Sequence, residues 1–238
     1  MNEYKDRGIL LFSKISSENN LYLKILTEKD EIITGLSFGG SSKKKKNIYQ
    51  IGYFLNVIIK NKNKNFPNSI SAELSQPFYH NIFIDKYKLH GLLAIISLLN
   101  ISIIEGQKVD GLFKLSENVI NIIANEKKWI VNFFLFLLNL LKLIGYDIDY
   151  QKNISNKYLN LDNLQFESLN APKCIKFPHQ LLNKENEINL DNAISFFKVF
   201  EIILQNHHLN NMNLNIPISY FKFKKIILNF LTKNEKYN

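Results

Sequence analysis

The densest chemistry in this sequence lies in one run, Phe38-Gly39-Gly40-Ser41-Ser42-Lys43-Lys44-Lys45-Lys46. Glycine lets a backbone approach a ligand closely, and consecutive ammonium groups suit a polyanion better than a small molecule. On a single strand each neutralised phosphate steepens the log–log salt dependence by ~0.7, so four lysines predict a slope of roughly −2.8. Without a ligand the same run is a solvated stretch of charge. It is not a nucleotide phosphate loop: the required glycine spacing is missing, and no helix-opening Ser or Thr follows the lysines.

Bond-breaking chemistry finds no support. The five histidines are His80, His90, His179, His207 and His208, and none has Glu or Cys at metal-ligand spacing. On a helix the adjacent His207 and His208 point about 100° apart and chelate one ion poorly. No Ser-His-Asp order with a nucleophile elbow is present. Asp147 and Asp149 offer either a Mg²⁺ pair or, as the better reading, loop capping. Cys174 is the single cysteine, so a disulfide framework or a cysteine-based zinc site is excluded. The sequence thus predicts no catalytic residue, no metal and no cofactor, in a reducing cytoplasmic setting.

The 238 residues carry a net charge of +9, and the excess is uneven. Residues 1–65 hold twelve Lys or Arg against six Asp or Glu, whereas the rest hold 18 against 15. That polarity suits a phosphate-binding module at the amino terminus. A competing reading is compositional drift, since Lys, Asn and Ile abound and Arg7 is the only arginine. Base reading in the major groove leans on bidentate Arg, so any nucleic-acid binding here should be indifferent to sequence. The amino terminus lacks the apolar core of a signal peptide. Asn132, Asn139 and Lys142 interrupt the apolar run from Trp129 to Tyr146, which reads as a core helix rather than a membrane span.

The elements that must position the lysine finger follow from periodicity. Short apolar runs near 8–14, 20–27, 31–38, 53–60 and 69–76 predict five strands. Five strands within about seventy residues fit a barrel of the OB type. From Asp85 the spacing becomes helical, over 86–101, 111–124, 129–145, 191–207 and 217–232. Pro217 suits a first helical position, and Asp191 a cap. The predicted fold class is α+β: an N-terminal five-stranded OB-fold β-barrel, residues 1–80, then an α-helical domain, 81–238, with a loop-rich insertion at 147–189.

At this point the residues resemble the bacterial RecO recombination-repair proteins. Gly8-Ile9-Leu10-Leu11 is similar to that family's first strand. Ser17-Glu18-Asn19-Asn20-Leu21 with Leu26-Thr27-Glu28 resembles its second hairpin. Gly35, Gly39 to Lys44 and Gln50-Ile51-Gly52 resemble its glycine–basic loop and downstream Gln-Pro-Gly. Leu141, Ile144, Gly145, Tyr146 and Asp149 resemble the end of its central helix. The resemblance implies an OB-fold with a helical domain that binds single- and double-stranded DNA and anneals complementary strands. It also implies work with RecR to place RecA on DNA coated by single-strand-binding protein, without bond-breaking activity and close to the nucleoid. Two departures stand out. Asn153 occupies the first position where many relatives carry zinc-holding cysteines, and Leu135-Phe136-Leu137-Leu138 replaces a common Arg-Phe-Glu-Leu, the region linked to docking the acidic tail of single-strand-binding protein.

The expected DNA contacts are therefore Arg7, Lys14, Lys24, Phe38, Gly39, Gly40, Ser41, Ser42, Lys43, Lys44, Lys45, Lys46, Lys60 and Lys62. Tyr22, Phe38, Tyr49 and Tyr53 are candidates to stack bases or, as the better reading, belong to the barrel core or an interface, while Phe12 and Phe54 are assigned to the core. In the last helix Tyr220, Phe223, Ile227, Phe230 and Leu231 share a face, with Lys222 and Lys225 elsewhere on its surface. That pattern is either an ordinary core helix or a groove with a lysine rim for an acidic peptide. The alternatives to a DNA-annealing mediator are a docking scaffold with weak DNA contact and an OB-fold RNA-binding protein.

Overall fold

A computed structural model describes residues 2–61, 66–76, 79–153, 157–182 and 188–235. Five strands come first: β1 (Asn2–Ser17), β2 (Asn20–Thr27), β3 (Ile32–Ser37), β4 (Phe54–Asn61) and β5 (Asn68–Leu74). They close into a barrel in the order β1-β2-β3-β5-β4. β1 serves two partners, pairing residues 2–9 with β4 and 8–17 with β2. Closure depends on a short parallel contact, Gly35 with Asn68 and Leu36 with Ser69. Alternation sets the interior: Leu10, Leu21, Leu23, Ile25, Ile33, Leu55, Val57, Ile59 and Ile70 are buried together. This is the five-stranded OB barrel followed by helices that the sequence predicts.

The helices are α1 (His80–Ile84), α2 (Lys86–Ser102), α3 (Leu112–Asn125), α4 (Ile130–Leu143), α5 (Leu190–Ile203) and α6 (Ile218–Glu235). α4 is buried through Phe133, Phe134, Phe136, Leu137, Leu140 and Leu141, which makes it a core helix. Among the described residues no helix is long and apolar enough to cross a membrane. Asp85 caps α2, its carboxylate accepting from the Tyr87 and Lys88 amides. The cap of α5 is Asn189 rather than Asp191. Asn189 is extended and accepts from the amides of Asp191 and Asn192, so Asp191 falls inside the first turn. α5 ends at Ile203 and widens into a π turn over Leu204–Leu209. The insertion is less irregular than its sequence implies, because β6 (Tyr158–Asn160) pairs with β7 (Phe166–Glu167) and β8 (Cys174–Lys176).

Barrel and helices share a seam. Ile9, Leu11, Leu26, Ile32 and Phe54 leave the barrel wall and join the apolar core of the helices. Polar contacts fix the angle between them. The Asp30 carboxylate accepts from Gly111 N and Phe113 N, each at 2.8 Å, and so caps α3 from the β2–β3 turn. Residues 104–108 run along the free edge of β3, with Gly106 N donating to Ile32 O and Glu31 bridging Lys108. An edge covered in this way is closed to strand addition.

Candidate nucleic-acid interface

On the outer face of β1-β2-β3 the register aligns two rows, Lys14–Tyr22–Leu36 and Phe12–Lys24–Thr34. The Phe12 and Tyr22 rings meet edge to face at 6.5 Å, and Phe38 lies 59% exposed beyond the end of β3. Phe12 therefore corrects the sequence assignment to the core. A β-bulge between Leu10 and Phe12 shifts the alternation by one residue and turns its ring outward. Phe12 and Leu36 extend the apolar strip in a way that strict alternation does not show.

The finger grows from this face and is held rather than loose. Gly39 adopts φ +65°, a conformation glycine takes without strain, and its N–H donates to Asn20 Oδ1 at 3.0 Å. Ser41 N donates to Asn19 O at 3.0 Å, which ties the finger to the β1–β2 hairpin. Ser42 O accepts from the amides of Lys45 and Lys46, closing the turn. The returning chain inserts Tyr49 into the barrel, where Ser37 Oγ donates to its hydroxyl at 2.7 Å. Tyr49 is consequently a plug and not a stacking platform, and Tyr53 packs edge to face on Phe83. Lys43, Lys44, Lys45 and Lys46 are all exposed, and among the described residues neither they nor Lys14 form an ion pair with a carboxylate.

Other expected cations are already committed. Arg7 is a seam residue: Nη1 lies 2.8 Å from Glu28 and 2.7 Å from Glu117 of α3, and Nε donates to Ser75 Oγ at 3.0 Å. Its guanidinium also covers the Phe54 and Phe113 rings. Burial opposes its charge, but the hydrogen bonds to Glu28 and Glu117 prevail and hold its pKa above the ordinary value. Lys24 is half-buried, with Nζ donating to Asn100 O at 2.6 Å; burial lowers its pKa against the pull of Glu105. Lys60 pairs with Glu3 at 2.8 Å, and Lys62 lies outside the described residues. A groove of about 810 Å³ on the β1-β4-β5 wall is lined by Lys5, Arg7 and Lys45 together with Asp6, Glu28 and Glu73. Its charge is mixed, so the cationic excess of residues 1–65 does not make that wall uniformly positive.

The remaining candidates resolve into structural roles. His207 and His208 meet the carbonyls of Leu161 and Ser102, and the His179 ring packs against Phe166 and, edge-on, Phe177. Asp147 and Asp149 pair with Lys142 and Lys152. Cys174 has Glu167 at 3.6 Å, and no group of three metal-binding side chains occurs among the described residues, so the donor set does not fit a zinc ion. In α4 Phe136, Leu137 and Leu138 are buried and Leu135 half-buried, which leaves no charged surface there. Tyr220, Phe223, Ile227 and Leu231 are core, so the apolar face of α6 is filled rather than open. Lys222 and Lys225 remain exposed on its outer side.

Residues 85–176 match the family model described as Recombination protein O C terminal. The chain is 27% identical over 198 residues to the DNA repair protein RecO of Rickettsia bellii, covering 79% of this chain and 81% of that protein. It is 26% identical over 200 residues to the protein of that name from Rickettsia akari, covering 79% and 83%. With the one from Ruegeria sp. it shares 24% over 147 residues, covering 62% and 61%. A closed OB barrel leading into a helical domain, with the RecO carboxy-terminal model matching residues 85–176 and relatives of that name aligned over most of the chain, makes this protein similar to the RecO family in both sequence and architecture.

Proposed function

We propose that this protein is a mediator of DNA repair and recombination that binds single- and double-stranded DNA without sequence preference and anneals complementary strands. The observation that carries the reading is a half-exposed aromatic strip on the outer face of β1-β2-β3 beside exposed lysines that lack carboxylate partners among the described residues. Phe12, Tyr22 and Phe38 offer ring faces or edges to unpaired bases, and Lys14 with Lys43–Lys46 offers charge to the phosphates between them. Neutralising two backbones at one finger lowers their mutual repulsion, and complementary bases then pair without any covalent step. The contact set is narrower than composition implies, because Arg7 and Lys24 are held at the seam and Lys60 by Glu3.

In this reading residues 1–80 form the DNA-binding unit and 81–238 the unit that meets partners. Those partners are RecR and, through its acidic tail, single-strand-binding protein, with Lys222 and Lys225 as contacts and RecA loading as the outcome. The protein acts in the cytoplasm at the nucleoid. A strand-annealing assay comparing wild type with Lys43–Lys46→Ala tests the mechanism. The variant should anneal more slowly at low salt and converge with wild type as salt screens the charge. Equal rates throughout would remove the finger from the mechanism and favour a docking scaffold with weak DNA contact.

A further inference from the structure

A second group of cations gathers in the helical domain around the start of α2, at the opposite end of that helix from Asn100, which holds Lys24. Lys88 Nζ donates to Ala124 O at 2.9 Å, which brings the start of α2 against the end of α3. The α3–α4 turn that follows carries Lys127 and Lys128, both exposed. Tyr87 of α2 meets Phe230 of α6 at 5.2 Å, so the last turn of α6, with exposed Lys233, lies at the same end. Lys86 is exposed beside them, and Tyr87 is 38% exposed. Asp85 and Glu126 are acidic neighbours, but Asp85 is occupied in capping α2. Among the described residues Lys86, Lys127, Lys128 and Lys233 have no carboxylate partner.

We propose that Lys86, Lys127, Lys128 and Lys233, together with the partly exposed Tyr87, form a second phosphate-binding surface that engages a nucleic-acid backbone away from the barrel. The proposal rests on the reading of the barrel face as a DNA site and extends it. The cations come from three separate elements, a spread suited to a chain of evenly spaced charges. α2 rises ~1.5 Å per residue, so Lys86 stands about 21 Å from Asn100, where Lys24 of the barrel face is held. An oligonucleotide confined to the barrel therefore misses this surface, and a long strand reaches both.

The test is binding of fluorescent single strands of about 8 nucleotides, within the span of one OB barrel, and about 40 nucleotides. The Lys86→Ala/Lys127→Ala/Lys128→Ala variant removes only exposed side chains. It should bind the short strand as wild type does, while its log–log salt slope on the long one should be shallower by about 2 units, at ~0.7 for each phosphate no longer neutralised. Unchanged slope on the long strand overturns the second surface while leaving the barrel site standing. Failure of wild type to bind even the short strand overturns the barrel reading and this proposal with it. Loss of binding to a short poly-glutamate peptide, with long-strand binding intact, would assign the surface to a protein partner and also overturn it.

Discussion

Replacing Arg7 with alanine should destabilise the fold far more than it weakens DNA binding. Its guanidinium bonds Glu28, Glu117, Ser75 and the Gln76 carbonyl and covers two phenyl rings, while its side chain is 20% exposed. Breaking a fully buried pair costs about 3–5 kcal/mol, because the surviving charge is left without a partner. Here the carboxylates are 46% and 32% exposed, so water recovers part of that loss and a cost of about 2–3 kcal/mol remains. For a chain of this size each kcal/mol shifts Tm by roughly 2–4 °C, giving a loss of roughly 4–12 °C in a thermal melt. Arg7→Lys keeps the charge without the planar fork and should fall between wild type and Arg7→Ala. Both variants should bind single-stranded DNA within about twofold of wild type where they are folded, because alanine at a site with no phosphate removes no counterion release. An Arg7→Lys protein with wild-type Tm and weakened DNA binding would refute this reasoning and return Arg7 to the DNA-binding residues.

Tyr22→Ala and Phe38→Ala should each weaken single-strand binding by about 1–3 kcal/mol, with little change in salt slope, as titrations at two salt concentrations would reveal. Wild-type affinity in both would mean that the strip carries no bases. Asp6 Oδ2 is buried without a hydrogen bond, with Lys29 at 3.9 Å, and burial raises its pKa above the ordinary carboxylate range. A carboxyl group with a raised folded pKa stabilises the fold when protonated, and that contribution is lost as pH rises through the folded value. Melting curves should accordingly show Asp6→Asn more stable than wild type at neutral pH, the gap closing on acidification; a gap that widens in acid contradicts the assignment. In α2 a Cβ at Gly91 would lie 2.9 Å from the Trp129 ring, so Gly91→Ala should cost about 1–3 kcal/mol in denaturant unfolding by overpacking. An unchanged midpoint would show that Trp129 has room to move.

Local pattern carries far in this chain. The alternation of Leu21, Leu23 and Ile25 against Tyr22 and Lys24 reads directly as β2, and the three-to-four spacing of α4 reads as a buried helix. The finger is equally plain, since glycine and lysine identities are local facts. What sequence hides is the partner that arrives from a distance. Lys24 and Asn100 are 76 positions apart, so nothing near Lys24 signals that its ammonium is held by the end of α2. Arg7 similarly meets Glu117 only because the β2–β3 turn caps α3. Phe12 is obscured for another reason: a bulge, invisible in composition, inverts the inside–outside order of β1. Tyr49 depends on the path of a loop that folds back into the barrel.

Salt dependence of single-strand binding to wild type and to Lys43–Lys46→Ala tests the central claim most directly. Four exposed lysines at one finger predict that the variant's log–log slope is shallower by roughly 2.8 units, at ~0.7 per phosphate, and that the two proteins converge at high salt. Parallel lines of equal slope, whatever their absolute affinity, would contradict it.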